Sequence, residues 1–272
     1  MTDRYCVFGH PITHSKSPAI HKAFAAETAQ DMMYIAIEAP VDDFAGAWRT
    51  FVADGGKGAN VTVPFKEDAY RLCDRLSDQA RRAGAVNTLK LEADGRVYGD
   101  TTDGVGLVAD LKRHGVQLEG ARVLLLGAGG AVRGVLAPLL GESPSELHIA
   151  NRTAHKAESL AADFTDLGNI LGSGFDAIGG RYDVVINGTS ASLAGDLPPL
   201  PETLFNDGAF AYDMMYSAEP TVFLAWSEAR GARCVDGLGM LVEQAAASFA
   251  QWRGVVPSTA PVLSALREQL KA

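Results

Sequence analysis

Short apolar runs alternate with stretches of helical period along most of the chain. The runs expected as strands are Tyr5 to Phe8, Tyr34 to Ile37, Ala59 to Val63, Ala85 to Leu91 and Arg96 to Tyr98, followed by Val123 to Leu126, Leu147 to Ala150, Val184 to Asn187, Phe210 to Asp213 and Arg233 to Val235. Between them, Pro18 to Glu27, Val41 to Val52, Val105 to His114 and Ala131 to Leu140 read as amphipathic helices. Strands that alternate with helices predict βαβ units, a largely parallel sheet and so an α/β fold. Asp94-Gly95 between two alternating runs is a hairpin signal, so one pairing should be antiparallel. Thr165 to Gly180, rich in Gly, Asp and Asn, is the weakest stretch for building core. Three prolines exclude regular helix or central strand from Leu197 to Pro201. The chain ends in two helical segments, Gly239 to Arg253 and Ala260 to Leu270, whose place in the fold their period does not give. No solenoid repeat and no low-complexity tract occurs.

Composition narrows the function classes. The 272 residues are 47% hydrophobic and 21% charged, which are globular proportions and allow one or two domains. Acidic side chains (33) outnumber Lys and Arg (24), the net charge is −9, and no basic run occurs, so neither nucleic acid nor an anionic membrane is expected as a partner. The N-terminal MTDRYCVFGHPITHS lacks the apolar core of a secretory signal. Arg133, Pro138 and four glycines interrupt the most membrane-like stretch, Val123 to Leu140. Cys6, Cys73 and Cys234 have no zinc spacing and suit a reducing compartment. A cytoplasmic protein is expected.

The densest chemical signal is Arg122 to Gly134, RVLLLGAGGAVRG, where an apolar run enters a glycine turn and then a helix. Glycines there let backbone N–H groups approach a pyrophosphate at a helix N-terminus. Gly127 and Gly129 fill the first two positions of the dinucleotide fingerprint, with Ala128, Gly130 and Ala131 around them. Val132 stands at the third position, where its bulk should hold helix and strand slightly further apart. The next strand ends in Asn151-Arg152-Thr153, with Lys156 one turn on, and no carboxylate stands where an NAD enzyme reads the 2′-hydroxyl. Two cations there oppose the helix dipole and suit a 2′-phosphate, so NADP is favoured over NAD.

Three motifs before residue 104 carry polar groups at strand ends. In Gly9 to Pro18, Ser17 before Pro18 also fits a plain helix N-cap. In Asn60-Val-Thr62-Val-Pro64-Phe-Lys66, alternation puts Asn60, Thr62 and Pro64 on one face, and Lys66 could be an ordinary surface lysine. In Asn87-Thr88 with Gly99 to Gly104, Asp103 could simply cap the following helix. Together they offer hydroxyls, amides, one amine and one carboxylate, a set suited to a small polyhydroxylated substrate. His10, His14 and His21 match no zinc motif, so no metal is expected. The absence of a GxSxG elbow sets acyl hydrolysis aside.

These motifs together resemble the shikimate dehydrogenase family over nearly the whole chain. HSKSP (14–18), NVTVPFK (60–66), AVNTL (85–89), DTTDGVG (100–106), GAGGA (127–131), NRT (151–153), NGTS (187–190), YDMMY (212–216) and DGLGMLVEQA (236–245) occur in family order. The resemblance implies a mixed, mostly parallel α/β substrate domain (1–103), a doubly wound Rossmann-type NADP domain (104–238), and C-terminal helices (239–272) returning to the substrate domain. It implies reversible reduction of 3-dehydroshikimate to shikimate with NADPH, in aromatic amino-acid biosynthesis, by a monomer or homodimer. By motif match, Ser15, Ser17 and Tyr216 hold the substrate carboxylate, and Thr62, Lys66, Asn87, Asp103 and Gln244 hold ring hydroxyls. Gly127, Ala128, Gly129, Gly130, Ala131, Asn151, Arg152, Thr153, Lys156, Thr189, Met214 and Gly237 line the cofactor site. Thr101, Ser192 and Lys22 stand where the family usually has Asn, Gly and Asn.

The implied chemistry agrees with the residues. A developing alkoxide needs a proton and a nearby positive charge, which Lys66 supplies while Asp103 orients it. Quinate/shikimate dehydrogenases with broader substrate or NAD use are the nearest rival. Ser15, Ser17, Arg152 and Lys156 favour the narrower enzyme. A non-catalytic NADP-sensing regulator is the rival of another class, and it should lack the lysine–aspartate pair.

Overall fold

The structure is a computed structural model that describes residues 2–189, 191 and 195–271. The chain divides into two compact units, the first running through Gly106 and resuming over Val242–Ser264, the second comprising Leu107–Leu241 and the chain end from Ala265. The segment after Gly239 therefore divides between the units rather than returning whole to the first. The bidentate pair of Arg267 with Asp236 ties the chain end within the second unit.

In the first unit the elements are β1 (Asp3–Gly9), α1 (Ser17–Glu27), β2 (Met32–Glu38), α2 (Phe44–Ala53), β3 (Gly56–Val61), α3 (Lys66–Leu72), β4 (Arg75–Leu76), α4 (Asp78–Ala83), β5 (Thr88–Leu91) and β6 (Val97–Asp100). They form one sheet in the order β2-β1-β3-β5-β6-β4. β5 runs against both of its neighbours, so the expected single antiparallel pair is two, β3 with β5 and β5 with β6. One face of this sheet buries Phe8, Val61 and Leu89 with Phe44, Trp48 and Phe65.

His21 and Phe24 of α1 pack with Phe249 and Trp252 of α9 (Leu238–Arg253), and Trp252 stacks on Tyr5 at 4.8 Å. This apolar contact gives the helix segment its place, which its own period could not.

α5 (Asp103–Arg113) carries the chain into the second unit, where β7 (Arg122–Leu126), α6 (Gly130–Gly141), β8 (Glu146–Asn151), α7 (Ala154–Ala162), β9 (Ile170–Gly174), β10 (Tyr182–Asn187), β11 (Phe205–Asp213), α8 (Val222–Glu228) and β12 (Arg233–Asp236) follow. Six parallel strands lie in the order β12-β11-β10-β7-β8-β9, the doubly wound arrangement. Val123 and Leu125 face one apolar cluster while Leu124 and Leu126 face another, which is why β7 reads as an unbroken apolar run. The last helix is α10 (Ala260–Lys271).

β9 falls in the stretch whose composition argued against core. Its Gly172 lies against α7, where an added Cβ would stand 2.2 Å from the Ala157 carbonyl oxygen. The glycine that suggests a loop is there for close packing of strand on helix.

Burial of His21 has a consequence for stability. Its ring is fully buried, stacks on Tyr34 at 4.1 Å and meets Asn60 Oδ1 through Nε2 at 3.1 Å. Desolvation pushes the imidazole from its ordinary 6.5 down to about 3. Below pH 6.5 the unfolded chain therefore binds a proton that the folded chain refuses, and stability falls with pH until about 3. One such proton costs ~1.4 kcal/mol per pH unit, or about 2 kcal/mol between pH 6.5 and 5. His114 and His148, also lowered mainly by burial, add in the same direction. Urea unfolding at pH 7 and pH 5 should show a smaller acid loss in His21→Gln than in the unmodified chain. Equal losses would remove His21 from the acid response.

Candidate active site

Lys66 is the first residue of α3 and Asp103 the first of α5. Lys66 Nζ donates to Asp103 Oδ2 at 2.6 Å, and the two side chains retain 29% and 16% exposure. Asn87 Nδ2 donates to the other oxygen, Asp103 Oδ1, at 2.8 Å and to Gln244 Oε1 at 3.3 Å. Both carboxylate oxygens are engaged by these side chains, so Asp103 serves the cluster rather than acting as a plain cap, and Lys66 is no free surface lysine. Asn87 Oδ1 in turn accepts from the Thr102 backbone N–H at 2.9 Å and from Thr88 Oγ1 at 2.8 Å.

Of the other expected substrate residues, Thr62, Ser15 and Ser17 belong to the first unit and Tyr216 to the second. Thr62 follows β3 directly, and its N–H donates to Phe8 O at 2.9 Å. Ser15 and Ser17 lie at the start of α1. Ser17 is not the N-cap: Lys16 holds that position without a side-chain cap bond, and Ser15 Oγ accepts from Ser17 N–H at 3.3 Å. Tyr216 belongs to the second unit, half-buried, its phenol pKa raised by burial and by Asp236.

Four residues absent from the expected set join this cluster: Asn60, Thr88, Thr102 and Ser248. Asn60 Nδ2 donates to Asn87 O at 3.1 Å and to Ser248 Oγ at 3.0 Å, while Oδ1 accepts from Tyr34 and meets His21. Ser248 stands one helical turn beyond Gln244 on α9, a spacing that could have pointed to it. Thr101 is buried, with its N–H on Asp100 Oδ1 at 2.8 Å. Lys22 is exposed, and Ser192 lies outside the described residues.

In the second unit, β7 is followed directly by Gly127, whose φ of 106° an L side chain rarely adopts. Cβ atoms added at Gly129 or Gly130 would meet nothing within 4 Å, so the N-terminus of α6 is open to a ligand with Ala128 and Ala131 beside it. Val132 is fully buried, and a Cβ at Gly188 would stand 2.4 Å from its Cγ2. The bulk of Val132 is thus met by a small residue at 188, directly after β10.

β8 ends at Asn151, whose Nδ2 donates to Thr153 O at 3.0 Å. Arg152, Thr153 and Lys156 are exposed, and among the described residues neither cation has an ion pair. A cavity of about 730 Å³ is lined by Asn151, Arg152, Phe175, Asp176, Thr189 and Asp196, among others. Thr189 donates through N and Oγ1 to Asn187 Oδ1, and Met214 N donates to Asn187 O at 2.9 Å. Gly237 presses on Met214, where an added Cβ would lie 2.2 Å from its carbonyl oxygen. Among the described residues no group of three His, Cys, Asp or Glu side chains could hold a metal, and no helix is long and apolar enough to cross a membrane.

Three family models match the chain. The shikimate dehydrogenase substrate binding domain matches residues 7–89, shikimate / quinate 5-dehydrogenase residues 109–194, and the shikimate 5′-dehydrogenase C-terminal domain residues 237–267. The NADP(+) shikimate dehydrogenase of Chromohalobacter salexigens is 66% identical over 268 residues, covering 98% of this chain and 99% of that protein. The crystal structure of an enzyme from Pseudomonas putida superimposes with a TM-score of 0.93 at 47% identity, over 100% of this chain and 99% of that one. Shikimate 5-dehydrogenase from Thermus thermophilus, solved with NADP(H) and shikimate, gives 0.86 at 31% identity over 99% and 100% of the two chains. With the sheet orders and the polar cluster already described, these likenesses place the chain in the shikimate dehydrogenase family.

Proposed function

We propose that this chain reversibly reduces 3-dehydroshikimate to shikimate with NADPH, a step of aromatic amino-acid biosynthesis, the first unit binding substrate and the second NADP. The observation that carries the reading is the Lys66–Asp103 pair, held at 2.6 Å with Asn87 on its far oxygen. Ser15, Ser17 and Tyr216 take the substrate carboxylate in this reading. Thr62, Lys66, Asn87, Asp103 and Gln244 take the ring hydroxyls.

The second unit fits the cofactor on its own geometry. Gly127, Ala128, Gly129, Gly130 and Ala131 form an open cradle for the pyrophosphate at the start of α6. Arg152 and Lys156, with Thr153, suit the 2′-phosphate, while Asn151, Thr189, Met214 and Gly237 line the rest. Asp176 and Asp196 on the same cavity wall reduce the net attraction, so Arg152 becomes the deciding charge.

When bound, NADPH supplies the hydride. Lys66 stabilises the negative charge that gathers on the carbonyl oxygen and gives it a proton. Asp103 holds the ammonium in place, and Asn87 keeps the carboxylate from turning away. In the oxidative direction, the neutral amine receives the hydroxyl proton.

Steady-state assay of shikimate and quinate, each with NADP and NAD, tests the assignment directly. Faster turnover with NAD or with quinate would overturn it. Lys66→Ala should lower turnover by about 10²–10⁴-fold, the usual size of general acid–base catalysis. Asp103→Asn should be comparably slow, and the double variant not multiplicatively worse, since the groups act together. Turnover near that of the unmodified chain in Lys66→Ala would remove the lysine from the mechanism.

Arg152→Ala should raise the KM for NADP by about tenfold or more, because a charge-assisted hydrogen bond contributes roughly 1.5–3 kcal/mol. The weak NAD reaction should change little, and the NADP preference should shrink as salt rises. Equal losses with both cofactors would mean that Arg152 supports the fold instead.

A further inference from the structure

The polar cluster contains more hydrogen bonds than the two reacting groups need, and their directions can be followed. The Thr102 backbone N–H can only donate, so the Asn87 atom facing it at 2.9 Å is the amide oxygen. Asn87 Nδ2 is then the atom on Asp103 Oδ1. The Asn87 carbonyl can only accept, so Asn60 presents Nδ2 to it at 3.1 Å. The second Asn60 N–H proton goes to Ser248 Oγ at 3.0 Å. Ser248 and Thr88 share a contact of 2.7 Å, and Thr88 Oγ1 lies 2.8 Å from Asn87 Oδ1. Each hydroxyl has one proton. If Thr88 gives its proton to Asn87, Ser248 must give its own to Thr88, in preference to the longer 3.1 Å contact with Gln244 O. The chain of donation runs Asn60, Ser248, Thr88, Asn87, Asp103, ending beside Lys66.

We propose that Thr88 and Ser248 are positioning residues, whose hydroxyls lock the Asn87 amide in the orientation that presents its N–H to Asp103. Resting on the catalytic reading of Lys66 and Asp103, this adds two buried groups that touch neither reacting residue. Turned by 180°, the Asn87 amide would set its oxygen against the Asp103 carboxylate, two acceptors facing each other, and the carboxylate would swing from Lys66. Thr88 is 1% exposed and Ser248 fully buried, so no water replaces a lost hydroxyl without opening the packing.

The test compares Thr88→Val, which keeps the shape and removes the hydroxyl, with Thr88→Ser, which keeps the hydroxyl and removes a methyl. The valine variant should lose about fivefold to tenfold in kcat/KM for shikimate, the size of one net hydrogen bond. The serine variant should stay within about twofold of the unmodified chain even though its Tm falls. A second readout needs no substrate. Labelling of the Lys66 amine by an amine-reactive reagent, followed by peptide mass spectrometry, should be faster in Thr88→Val than in Thr88→Ser or the unmodified chain. A loosened Asp103 releases the amine, and this readout stands even if shikimate proves to be the wrong substrate.

Ser248→Ala should reproduce the valine phenotype and carries the same test if Thr88→Val does not fold. Combining it with Thr88→Val should add little, because the two act in series. Unchanged labelling in both hydroxyl-deleting variants, or labelling and kinetics in Thr88→Ser as altered as in Thr88→Val, would overturn the proposal.

Discussion

The first unit is organised around keeping a carboxylate and an ammonium together at a site only partly open to water. Each ion loses hydration worth several kcal/mol on burial, and the attraction between them recovers it only if the remaining lone pairs and protons are also bound. The Lys66–Asp103 pair meets that condition through Asn87, and Asn87 meets its own through Thr102 and Thr88. The sheet topology follows from the same need. In a purely parallel sheet the residues before a strand and those after it lie at opposite edges. Reversing β5 brings the residue before it, Asn87, to the edge where β3 and β6 end. Three segments far apart in the chain thus deliver Lys66, Asn87 and Asp103 to one place.

The second unit uses glycine in two physically different ways. At 172 and 188 a Cβ would strike backbone or a buried valine, so these glycines are required by close packing. Each costs roughly 0.5–1 kcal/mol in chain entropy relative to alanine, offset by the contacts it permits. At 129 and 130 a Cβ would meet nothing, and no packing accounts for the glycine. Glycine without a neighbour, at the start of a helix, leaves room for something outside the protein.

Much of this was legible in the sequence, for reasons that particular residues make plain. β7 and β10 announce themselves because burial on both faces demands continuous apolar runs. The glycine turn is local, its residues 127–131 standing side by side in the chain. β9 was hidden because Gly172 serves packing while resembling a loop residue. The two-residue β4 is too short to carry any period. The bond between Asn60 and Ser248 was hidden for another reason: it joins positions 188 residues apart, and nothing in either segment alone says that the two face each other. A serine inside a helix reads as neutral until the asparagine facing it is known.

The two units differ in how complete their polar groups are. In the first, the amides, hydroxyls and charges of the cluster already bind one another, so little reorganisation is left for the moment of reaction. In the second, Arg152 and Lys156 stand at the start of α7 with no ion pair among the described residues, against the positive end of the helix dipole. That placement costs about 0.3–1 kcal/mol per cation. A carboxylate nearby would relieve the cost but would also compete with any incoming anion. Asp176 and Asp196, which line the same cavity as Arg152, weaken its attraction for an anion, yet among the described residues Arg152 and Lys156 form no ion pair, whereas Lys66 in the first unit is already paired.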